Sequence, residues 1–73
     1  MPEFEPRLIE TMRGALETVM TRVPTEYSTA TMKAFIAEVI LRAAARGETT
    51  YAGLVAVGSD QIQEAVKSLF VRT

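Results

Sequence analysis

The stretch TATMKAFIAEVILRAAAR, Thr29 to Arg46, decides the fold, because its apolar residues form two stripes at helical spacing and no strand alternation. One stripe is bulky: Met32, Phe35, Ile36, Val39, Ile40 and Ala43 supply what a small helical core needs. The second stripe, Ala30, Ala34, Ala37, Leu41 and Ala44, steps by alternating fours and threes and consists almost wholly of side chains small enough to let another helix come close. Only a thin polar strip remains, with Thr31, Glu38, Arg42 and Arg46 on it, and Glu38 and Arg42 are spaced as a favourable i,i+4 pair. Ser28 or Thr29 is the expected N-cap, and Arg46-Gly47 reads as the end: a cation at the negative pole of the helix followed by a residue free to turn left-handed.

Upstream, Glu5-Pro6 opens a first helix that the spacing carries to about Arg22, since proline is pre-set for the first helical position. Ile9, Met12, Leu16, Val19 and Val23 draw its apolar stripe, widened by Leu8, Ala15 and Met20. Gly14 falls opposite that stripe, where it weakens the helix or admits a close neighbour. Val23-Pro24 then breaks the pattern, and the short polar connection to Ser28 suits an antiparallel pairing of helices 1 and 2.

Downstream, Thr49 or Thr50 can cap a short helix 3 over about residues 50–57, weakened by Gly53. Gly58-Ser59-Asp60 is expected to stop it and to cap helix 4, about residues 60–70, whose stripe is Ile62, Ala65, Val66, Leu69 and Phe70. The last three residues are expected to fray. No alternating strand pattern, internal repeat or low-complexity run interrupts this all-α reading of a single domain of three to four helices.

Composition narrows the functions available to such a domain. Hydrophobic residues make up 48% and charged residues 23% of the 73 residues, a balance that favours a folded chain over a disordered one. Eight basic residues against nine acidic ones leave a net charge of −1, so no global field attracts nucleic acid. Cys and His are both absent, which removes disulfides, thiolate and imidazole metal ligands, the thiol nucleophile and the commonest general base. Carboxylate-only chemistry requires a cleft that shifts pKa values, and the paired charges Glu10, Arg13 and Glu17 on helix 1, or Glu64 and Lys67 on helix 4, read instead as solvated faces. No phosphate loop, dinucleotide fingerprint, calcium loop or zinc spacing occurs. The reading is therefore non-enzymatic, with no cofactor and no metal.

Pro2, Glu3, Glu5 and Pro6 stand where an export signal would carry basic and then apolar residues, and the weakly polar run from Ala34 to Ala45 falls short of the roughly 20 apolar residues a membrane span needs. A cytoplasmic location without a membrane span is the expectation.

Self-association follows from size. A domain this short buries only about 60% of the surface its unfolded chain exposes, and small domains compensate with disulfides, metals or a partner chain. Helix 2 also carries more apolar circumference than one neighbouring helix covers. The expectation is a homo-oligomer, preferentially a two-fold dimer, joined through Ala30, Ala34, Ala37, Leu41 and Ala44, and serving as an interaction or accessory module for an unidentified protein partner. Complete enclosure of helix 2 by helices 1, 3 and 4 is the monomeric alternative.

Two further readings are available. Helices 3 and 4 invite comparison with a DNA-binding helix-turn-helix, and Gln61 and Gln63 are capable of reading adenine edges. Asp60 and Glu64 would then sit where phosphates crowd, with Lys67 the only basic residue before Arg72, so nucleic acid ranks low as a partner. A small apolar ligand held within the bundle is the other. Tyr27 and Tyr51, at element ends, read as lids over the core or as partner anchors. Met12, Met20 and Met32 read as core fillers, and Thr25, Ser28, Thr29 and Thr31 as capping residues rather than phosphate acceptors.

Overall fold

The structure is a computed structural model that describes residues 4–71. It is all-α: α1 spans Pro6–Arg22, α2 Ala30–Ala45, α3 Tyr51–Asp60 and α4 Ile62–Phe70, with a single 3₁₀ turn at Thr25–Tyr27 between α1 and α2. No strand occurs among the described residues.

Local chemistry accounts for most of the boundaries. Pro6 occupies the first turn of α1, and Val23 leaves the helix in extended geometry immediately before Pro24, as steric conflict with the proline ring requires. Thr29 caps α2 by accepting a hydrogen bond from the Met32 N–H at 3.1 Å. At the other end Gly47 adopts φ 107°, the Gly47 N–H donates to the Ala44 carbonyl and the Glu48 N–H to the Ala43 carbonyl, both at 3.0 Å. These are the two bonds of a Schellman cap, and they explain why this helix ends at a glycine. Thr50 caps α3 by accepting from the Gly53 N–H at 3.0 Å while its own hydroxyl donates to the Glu48 carboxylate at 3.1 Å.

The third helix departs from its expected end. It runs on through Gly58, Ser59 and Asp60, because none of these three does what a stop signal does. Gly58 does not have positive φ; it is buried against α1, where a Cβ would lie 2.8 Å from Val19 Cγ2. The Ser59 hydroxyl is turned to α1 and accepts a hydrogen bond from Arg22 Nη1 at 2.9 Å, so it does not cap α4. One residue, Gln61 at φ −92° and ψ −2°, separates α3 from α4, and α4 starts with no side-chain cap.

Tyr51 lies beside Gly14 and Thr18, Gly58 beside Val19, and Ser59 beside Arg22, so α1 and α3 run in the same direction. This is the most extensive helix contact in the molecule. Helix α2 lies against α1, α3 and α4, with Met32, Ile36 and Ile40 almost wholly enclosed alongside Val19, Leu54, Ala15 and Ala65. Each fully buried Val, Leu, Ile or Met side chain contributes about 1.5–3 kcal/mol, and no polar side chain is buried among the described residues to offset it. Phe35 and Val39, the outer members of the bulky stripe, are half-buried.

Candidate functional site

The five small-face residues of α2 do not share one environment. Ala44 is buried at 5% exposure by its own chain, Ala37 is half-buried, and Ala30, Ala34 and Leu41 are exposed, Leu41 at 46%. The stripe therefore begins under the bundle at its C-terminal end and emerges onto the surface toward its N-terminal end.

A groove of about 210 Å³ borders the stripe where α1 and α2 meet. Met12 and Ile40, both buried, form its floor, Ile9 and Leu16 stand on the α1 side, and Ala37 and Leu41 on the α2 side. Ile9, near the start of α1, and Leu41, near the end of α2, line the same groove, which is the relation an antiparallel pair has. Ile9 is 43% exposed. Its helical spacing places it on the apolar stripe of α1 but does not show that α3, which begins opposite Gly14 and Thr18, leaves this part of α1 without cover. Among the described residues Arg13 is the one charged side chain on the rim, and its guanidinium is 3.8 Å from the Glu10 carboxylate in a well-exposed pair. Glu38 and Arg42 form their expected i,i+4 pair on the solvent side of α2, also well exposed; such pairs contribute a few tenths of a kcal/mol. The chemistry the surface offers is apolar burial, and among the described residues no acid–base or ligating group converges on it.

The remaining candidates have local roles. Tyr27 packs on Phe70, ring centroids 5.0 Å apart and tilted by 48°, and so ties the 3₁₀ turn to the end of α4. The Tyr51 hydroxyl is hydrogen-bonded to the Thr18 hydroxyl, and its ring lies 3.6 Å from where a Gly14 Cβ would be, an ordinary van der Waals distance. Met12 and Met32 are buried and Met20 is packed at the core edge. Thr29 is a helix cap; Thr25, Ser28 and Thr31 are exposed. Among the described residues, no group of three or more carboxylates is gathered as a metal site would require.

Asp60, Gln63, Glu64 and Lys67 are exposed and Gln61 is half-buried at the α3–α4 joint. A helix-turn-helix sets its second helix off through a turn of three or four residues; here Gln61 alone intervenes. Arg72, Pro2 and Glu3 lie outside the described residues, as do the last two of the three residues expected to fray; Val71 is exposed. The clefts beside α1 and α3 are open to solvent. Among the described residues no helix is long and apolar enough to cross a membrane.

Sequence reasoning did not single out Glu48. Its carboxylate folds over the first turn of α3, accepting from the Thr50 hydroxyl and occupying the space a side chain at Gly53 would need. The signal was present as an acidic residue two positions before a threonine cap, where it complements the positive pole of the helix.

No protein-family model, curated protein or solved structure matches the chain.

Proposed function

We propose that this protein is a small non-catalytic helical module that self-associates, with a two-fold dimer favoured, and acts as an interaction or accessory protein. The surface used is the exposed part of the small-residue face, Ala30, Ala34, Ala37 and Leu41, extended across the groove to Ile9 and Leu16. Ala44, enclosed by its own chain, supports this surface from behind and takes no direct part.

One observation carries the reading: Leu41 and Ile9, each more than two-fifths exposed, line one groove beside a row of alanines whose small side chains permit close helix approach. Burial of such a surface against a second copy removes apolar area from water at about 25 cal/mol per Å², and the absence of large side chains along Ala30, Ala34 and Ala37 keeps the entropy loss on docking small.

Solution mass by light scattering tests it, on the wild type and on Leu41→Glu and Ala34→Glu. Both positions are exposed, so a charge there leaves the fold intact and burdens only an interface. The expected result is a wild-type oligomer and folded monomeric variants. Variants that retain the wild-type mass, or a wild type that is monomeric at high concentration, overturn the assignment. The helix-turn-helix reading gains no support from the one-residue joint and the exposed carboxylates Asp60 and Glu64.

A further inference from the structure

We draw no further inference here: the strongest candidate, the cleft of about 410 Å³ between α1 and α3 lined by Thr18, Arg22, Tyr51 and Val55, lies open to solvent, and nothing in the structure shows what covers it.

Discussion

Gly58→Ala isolates the contact between α1 and α3. Alanine is the better helix former by about 1 kcal/mol, so at an open helical site this change stabilises. Here a methyl group would stand 2.8 Å from Val19 Cγ2 and 3.4 Å from Val19 Cγ1, and Val19 is fully buried and has little room to retreat. Overpacking of that kind costs about 1–3 kcal/mol, which meets or exceeds the propensity gain, and the expected net effect is a loss of about 0–2 kcal/mol. Val19→Ala alone removes two buried methyl groups and costs about 1.5–3 kcal/mol from transfer and cavity terms together. In the double variant the methyl group added at position 58 enters the space that the valine vacates, so the two losses do not add: the double variant is more stable than their sum predicts by about 1–2 kcal/mol. Urea denaturation monitored by circular dichroism measures all three, and in a domain of this size 1 kcal/mol moves the thermal midpoint by about 4–8 °C. A Gly58→Ala chain stabilised by the full propensity gain, or strictly additive losses, would refute the close approach of α3 to α1.

The companion change Gly14→Ala meets only the Tyr51 ring at 3.6 Å and is expected to stabilise by up to about 1 kcal/mol, read as a higher urea midpoint. Thr29→Ala and Thr50→Ala each remove a capping acceptor and should cost about 1 kcal/mol, whereas replacement by serine should restore most of the loss. Gly47→Ala, at a φ of 107°, should destabilise by about 1 kcal/mol although nothing lies near the added methyl, a result that distinguishes backbone strain from steric conflict in the same denaturation assay. The proposed association through the Leu41 surface would stabilise only folded chains, so the thermal midpoint of the wild type should rise with protein concentration while that of Leu41→Glu stays flat.

The helices were legible where chemistry is local. Proline at position 6, threonine at 29 and the Arg46-Gly47 pair each act through their own backbone or the next turn, and α1 and α2 begin and end where those residues put them. Gly58-Ser59-Asp60 misled for the opposite reason. Glycine followed by two capping residues carries every local mark of a helix break, but the tertiary environment claims two of the three: Gly58 is needed without a side chain under Val19, and Ser59 serves Arg22. A glycine's role at a helix crossing depends on a partner far away along the chain, and no local window of sequence contains both.

The same limit explains the candidate surface. Helical spacing identified the small-residue stripe of α2 as a unit, yet spacing is uniform along a helix and cover is not. At its C-terminal end the stripe turns under the bundle, and Ala44 is enclosed; farther back Leu41, Ala34 and Ala30 are left open. Ile9 joins them: among the described residues α3 begins opposite Gly14 and Thr18, and the groove beside Ile9 is lined from α2 by Ala37, Ile40 and Leu41. The apolar surface left over is thus set by a mismatch of lengths, a 17-residue α1 against a 10-residue α3 that starts partway along it. Extending α3 backward to cover Ile9 would require helix through Gly47, whose left-handed geometry ends α2, and through Thr50, whose hydroxyl caps α3. The local signals that fix these two helix ends therefore also fix the exposed groove.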